Sequence, residues 1–271
     1  MNSSKDYFPQ RIVCLTEEPT ETLYLLGEED RIVGISGFTM RPAKARKEKP
    51  KVSAFSSAKI EEIIALQPDL VIGFSDVQAE IARELIARGL TVWINNHRSV
   101  AGIYQMIVQL GAMVGKQGRA LVLAEEIAQN LQNICVSNQE KPFKPTVYFE
   151  EWYDPLITGI QWVGELIELA GGIDIFPELQ KESLAKDRII ADPQEIVHRN
   201  PDIILVSWCG KKFKKDQLVN RPNWDKIKAV QHDCIFEIKS ELILQPGPAA
   251  LTDGIGEMAL IIEKWHALRE R

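Results

Sequence analysis

The sequence lacks several things at once, and each absence removes a class of function. No run of roughly eighteen apolar residues occurs, so no helix of the written chain is expected to span a membrane. Met1–Gln10 is polar and holds no hydrophobic core of a secretion signal. The written chain is therefore expected in the cytoplasm, with a periplasmic or surface-anchored location as the alternative if an export signal lies outside it. Cysteine is sparse: Cys14, Cys135, Cys209 and Cys234 form no CxxC and no metal-type spacing. Three of them sit in or beside apolar runs, where cysteine acts as a small buried hydrophobe, and free thiols fit a reducing compartment. No broad basic face is present either. The formal charge is -6, and the densest positive stretches, Arg41–Lys51 and Lys211–Lys215, read as short solvated loops. Nucleic acid is excluded as a partner on that ground. GxSxG, Walker, HExxH and strand-linked GxGxxG patterns are all missing, and the glycines of Gly111–Gly118 follow a helix rather than a strand. The histidines, His97, His198, His232 and His266, are too scattered to supply the three or four convergent ligands of a bare transition-metal site.

What is present is an ordinary globular mixture, 45% apolar and 26% charged over 271 residues, arranged as an internal repeat. Lys59–Asp76 reads KIEEIIALQPDLVIGFSD and Asp192–Gly210 reads DPQEIVHRNPDIILVSWCG. Each is a short amphipathic helix, a Pro-Asp corner and a continuous apolar strand. Pro68 and Pro201 stop the helices, because proline lacks the donor and disfavours helix before it. The strands Leu70–Phe74 and Ile203–Trp208 are apolar on both faces, as in a parallel sheet covered by helices. Further strands are predicted at Arg11–Leu15, Arg31–Ile35, Leu90–Asn95, Thr146–Glu150 and Cys234–Ile238, with helices near Thr20–Leu26, Val77–Arg88 and Val163–Ala170. Between the copies, the apolar positions of Lys116–Asn138 keep a helical period over roughly 30 Å. The expected fold is α/β: two similar lobes with parallel-type sheets, 11–115 and 144–271, joined by one long rigid helix, 116–138.

Ligands of open α/β sheets bind outside the carboxyl ends of the strands, and domain interfaces favour pockets. The loops to inspect are Thr16–Pro19, Gly37–Arg41, Ala54–Ser57, Phe74–Asp76 and Asn95–Arg98 in the first lobe. In the second they are Glu151–Pro155, Ser207–Lys211 and Ser240–Gln245. They carry Phe38, Phe55, Phe74, Trp152, Tyr153 and Trp208, broad stiff faces suited to a flat or bulky ligand held between the lobes. Arg41, His97, Arg98, Glu151, Asp154 and Glu241 would form a polar ring around that floor. His97 is the one histidine placed to serve as an axial ligand to a metal already held in a macrocycle. A competing reading takes Asp76, Glu151, Asp154 and Glu241 as the source of a carboxylate pair for acid–base catalysis.

The opening RIVCLTEEPTETLYLLGEEDRIVGIS, the segment KIEEIIALQPDLVIG and the segment WVGELIELAGGIDIF resemble the class III substrate-binding proteins of ABC importers. The likeness runs over residues 11 to 262, and within the family the chain is most similar to the vitamin B12 binders. That resemblance implies a non-catalytic binder with no covalent cofactor and a single small-molecule ligand, serving either ABC-type uptake with a permease as partner or, where no export signal is present, cytoplasmic carriage. The ligand implied is cobalamin or another corrinoid, with haem or a ferric siderophore as the alternative on the same fold. A monomer is expected. The resemblance implies corrin-packing aromatics at Phe38, Phe55 and Phe74 and an acidic contact at Glu241. The chain departs from the family at Gln245, where arginine is frequent. It also implies a permease-docking glutamate on each lobe, Glu61 on the first and Glu195, beside Gln194, on the second.

Overall fold

The structure, a computed structural model, describes residues 7–139 and 141–269. The chain divides into two units. One runs through His97 and adds Ala101–Glu126; the other takes Arg98–Val100 and everything from Ile127 onward.

The first unit is a fully parallel sheet of β1 (Ile12–Cys14), β2 (Ile32–Ser36), β3 (Lys51–Ser53), β4 (Leu70–Phe74) and β5 (Val92–Asn95), in the order β3-β2-β1-β4-β5. Between successive strands lie α1 (Glu17–Leu25), α2 (Ala43–Glu48), α3 (Ile60–Ala65) and α4 (Ala79–Ala87), and α5 (Val100–Met113) follows β5. Val13, Leu15, Val52, Ile63, Val71 and Leu85 form its core, and β4 is buried along its whole length, as expected of a strand covered on both faces, whereas Val92, Trp93 and Ile94 of β5 are half-buried. The stretch Arg41–Lys51 is more than a solvated loop. Its AKARKE segment builds α2, because alanine, lysine and glutamate are strong helix formers. The helix ends where Pro50 forces Lys49 into extended backbone.

The second unit is built on β6 (Thr146–Tyr153), β7 (Leu156–Thr158), β8 (Ile173–Asp174), β9 (Ile203–Val206) and β10 (Ile235–Glu237), in the order β10-β9-β6-β7 with β8 also on β6. All pairs are parallel except β6 with β7, a hairpin. That hairpin corrects the loop expected at Glu151–Pro155: Glu151, Trp152 and Tyr153 belong to the strand. The strand expected at Ile203–Trp208 stops at Val206, and the segment Ser240–Gln245 opens as a helix over Ser240–Ile243. Around this sheet lie α7 (Gln161–Leu169), α8 (Gln194–Arg199), α9 (Lys215–Val219), α10 (Lys228–Gln231), α11 (Ser240–Ile243) and α12 (Ile255–Arg269). The long helix α6 covers Gln117–Gln139, one residue later than expected at each end, and the boundary between the units falls within it.

The repeat is realised atom for atom at the Pro-Asp corners. Gln67 and Asn200 take left-handed backbone, φ 49° and 48°, and end α3 and α8 before their prolines. The aspartate side chains then cap the neighbouring strand. Asp69 accepts from the Arg11 N–H at 2.9 Å, and Asp202 from the Thr146 N–H at 3.0 Å. Each aspartate's own N–H returns a bond of 2.9 Å to the same residue's carbonyl.

Candidate functional site

In the first unit all five strands point their carboxyl ends to one edge. Phe38 follows β2 and Phe55 follows β3, and both rings are exposed, at 51% and 42%. Phe74, the last residue of β4, is buried instead, with its ring edge-on to His97 at 5.3 Å between centroids. The structure therefore brings two of the three phenylalanines to the surface and folds the third beneath it. The edge is braced by Gln78, a fully buried amide that sequence reasoning passed over. Its Oε1 accepts from the Phe74 N–H at 2.9 Å, and its Nε2 donates to the Phe55 carbonyl at 2.9 Å. The approach needs Gly73, since a Cβ there would meet Gln78 Oε1 at 2.6 Å.

The first turn of α1 adds an acidic cluster at the end of β1. Thr16 donates to Glu18 at 2.7 Å, and Glu18 is buried with its second oxygen lacking a partner. Burial pushes its carboxyl up to about 7, opposed by the Thr16 bond. Glu17 accepts from the Met40 N–H at 3.2 Å, and Glu21 pairs with Arg41 at 2.9 Å. The expected polar residue Arg41 is thus held by Glu21, from the middle of α1.

In the second unit the three expected aromatics assemble into one platform. Trp152 and Tyr153 lie 5.1 Å apart, Tyr153 and Trp208 4.7 Å, and Trp208 meets Phe213 at 5.2 Å. Lys211 places its ammonium 5.1 Å from the Trp152 ring and 4.9 Å from the Tyr153 ring, and donates to the Tyr153 hydroxyl at 2.5 Å. Trp152 and Tyr153 are half-exposed, whereas Trp208 is buried and serves as the floor. Below it sits Glu150, fully buried at the carboxyl end of the sheet. Glu150 accepts from Trp208 Nε1 at 2.9 Å, from the Tyr148 hydroxyl at 3.3 Å, and from both terminal nitrogens of Arg221 at 2.5 and 2.9 Å. The guanidinium also stacks over Trp224 at 4.4 Å. Glu150, Arg221 and Phe213 went unnoticed in the sequence; a glutamate and an arginine 71 residues apart leave no local signal.

The remaining candidates are dispersed. Glu151 forms a two-pronged ion pair with buried Arg188, at 2.6 and 3.2 Å, so its charge is neutralised within the fold. Asp154 is exposed at the hairpin turn, and its carbonyl accepts from Trp152 Nε1 at 2.9 Å. Glu241 lies in the first turn of α11, which Trp162 anchors by donating to the Ile243 carbonyl at 2.9 Å. Nearby, the Glu257 carboxyl is raised by burial and then by Asp253, with Glu241 adding to the same direction. Gln245 is half-buried just beyond that helix, and Asp76 opens the turn that leads to Gln78. His97 and Arg98 follow β5 and are half-buried. Glu61 and Glu195 occupy matching first turns of α3 and α8. The former pairs with Arg88 at 2.8 Å, the latter with Arg199 at 3.5 Å.

Among the described residues no three His, Cys, Asp or Glu side chains converge to hold a metal ion, and no helix is long and apolar enough to cross a membrane. A family profile described as periplasmic binding protein matches residues 12–242. The chain is similar to an ABC transporter substrate-binding lipoprotein of Bacillus subtilis, 27% identical over 263 residues, covering 93% of this chain and 79% of that one. It is also similar to a vitamin B12-binding protein of Vibrio campbellii, 26% identical over 244 residues, covering 88% of this chain and 84% of that one. Among solved structures it matches a periplasmic heme-binding protein of Roseiflexus in its apo form, with a TM-score of 0.79 and 22% identity. That match covers 93% of this chain and 99% of the other, and it establishes a shared fold.

Proposed function

Because the chain belongs to the periplasmic binding protein family, we propose that it captures a bulky, metal-containing macrocycle and delivers it unchanged to an ABC permease. The observation that carries this reading is the platform of Trp152, Tyr153, Trp208 and Phe213 at the carboxyl edge of the second sheet. Stiff aromatic faces suit a wide, flat ligand because little rotamer freedom is lost on contact. Phe38 and Phe55 are exposed apolar side chains at the carboxyl edge of the first sheet, and Glu241 and Gln245 are the polar contacts proposed in the second unit. A corrinoid is the first choice of ligand, supported by the vitamin B12-binding relative. Haem is the second, and one feature favours it. Lys211 stands on the platform, and exposed Lys212 and Lys214 follow in the same loop, a setting that would attract carboxylates. Glu61 and Glu195 would then dock on permease arginines, exchanging their present partners Arg88 and Arg199.

Absorbance titrations of the purified chain with cobalamin, haemin and a ferric hydroxamate test the proposal. Saturable binding of one macrocycle below micromolar concentration is the expected result, weakened on the order of tenfold or more by Trp152→Ala or Tyr153→Ala. Retention of none of the three at micromolar concentration would sink it.

A further inference from the structure

We propose that the first unit carries a separate small-molecule pocket, at the outer edge of its sheet, that accepts a flat neutral ring bearing a carboxamide. The pocket, about 280 Å³, lies between β5 and α5, at the opposite flank of the sheet from Phe38 and Phe55. Its walls are Trp93, Ile94, Asn95, Asn96 and His97 from the strand and its end, with Gly102, Gln105, Met106 and Gln109 from one face of the helix. Helix α5 is held there in part by Met106, whose side chain is buried.

Three observations select the ligand. First, no carboxylate, lysine or arginine lines the pocket, so a charged guest would enter without a counter-charge. Second, Asn95 is 6% exposed and its Nδ2 has no partner. A buried donor left unpaired is costly, and an acceptor oxygen on a guest recovers that cost. Third, β5 is an edge strand. The Thr91 and Asn95 carbonyls accept from Val71 and Ser75 of the β4 side, at 2.9 and 2.6 Å, so alternation turns the N–H and C=O of Ile94 outward. An edge residue presents a donor and an acceptor side by side, the complement of an amide. Asn96, Gln105 and Gln109 add further paired donors and acceptors, and the Trp93 indole supplies a face for the ring. A carboxamide meets all of these at once, whereas a hydroxyl has only one proton to give.

The probe is nicotinamide, with nicotinate as its charged counterpart, titrated into the full chain at about pH 8 so that imidazoles stay neutral. Indole and carboxamide ¹H–¹⁵N resonances are followed, and the Trp93 indole is assigned through Trp93→Phe. The expected result is a saturable millimolar shift at Trp93 and Asn95, with nicotinate binding at least about tenfold more weakly. Asn95→Leu should weaken nicotinamide by about tenfold. Gln105→Phe, at an exposed position, should obstruct the pocket even if Asn95→Leu does not fold. A cavity holding solvent only would give no saturable shift and overturn the proposal. Equal binding of nicotinate, or parent-like binding by both variants, would overturn it as well. Macrocycle titration of Gln105→Phe keeps the two proposals apart, since loss of nicotinamide alone leaves the aromatic platform untouched.

Discussion

The two sheets end in the same way topologically and are finished by different chemistry. In the first unit the carboxyl edge is tied by a neutral amide, Gln78, which bonds the end of β4 to the loop after β3. In the second it is tied by an ion pair, Glu150 with Arg221, which holds a tryptophan, a tyrosine and the loop after β9. A neutral brace is tolerant, because losing it forfeits ordinary hydrogen bonds. A charged brace fails abruptly, because loss of the partly exposed Arg221 leaves the fully buried Glu150 as an uncompensated charge. The aromatics follow suit. Phe38 and Phe55 are exposed on the first edge, while the second edge fuses its rings into one surface.

The comparison is broken most severely at Arg221. Arg221→Ala should destabilise the chain by about 3–5 kcal/mol, read from urea unfolding, and should release the Trp208 indole into solvent. A loss below 1 kcal/mol, roughly the value of a surface ion pair, would show that Glu150 is not the keystone described. Next comes Glu18, whose carboxyl rises from 4.5 to about 7 on burial. The folded chain therefore binds more protons than the unfolded chain between those values, and stability declines as pH climbs through that window. Glu18→Gln should flatten this slope and raise stability at about pH 8 by up to about 3 kcal/mol. An unchanged pH profile would refute the assignment. Gln78→Leu removes the bonds to the Phe74 N–H and the Phe55 carbonyl, and should cost about 1–3 kcal/mol by the same unfolding measurement. Smallest is Phe38→Ala with Phe55→Ala. Each should shift stability by under about 0.5 kcal/mol while weakening macrocycle binding. A large stability loss would place those rings in the core.

Much of this architecture could be read from the letters alone, because it rests on local rules. Proline with aspartate at 68–69 and 201–202 marked both corners, and the apolar runs of β4 and β9 marked buried parallel strands. The period of 116–138 marked α6. The ring-bearing positions Trp152, Tyr153 and Trp208 were also visible, since aromatics beyond a strand end stand out. Hidden were the interactions that join distant segments: Glu150 to Arg221, Glu151 to Arg188, Gln78 to Phe55. Each residue taken singly resembles a solvated charge or amide, and only folding reveals its burial. Phe74 and Trp208 are aromatics at strand ends, and that position alone does not tell a buried floor from an exposed wall. The hairpin escaped notice because EEWYDPLIT has neither a glycine turn nor clean alternation. Glu151 is the extra residue of a bulge between Glu150 and Trp152.

That bulged hairpin constrains how the platform could diversify. Trp152 faces Ile157 and Tyr153 faces Leu156 in fixed register. One residue inserted or deleted between Glu150 and Trp152 would reverse the face that each ring takes relative to Glu150. Relatives that retune this edge should therefore exchange residues at constant length.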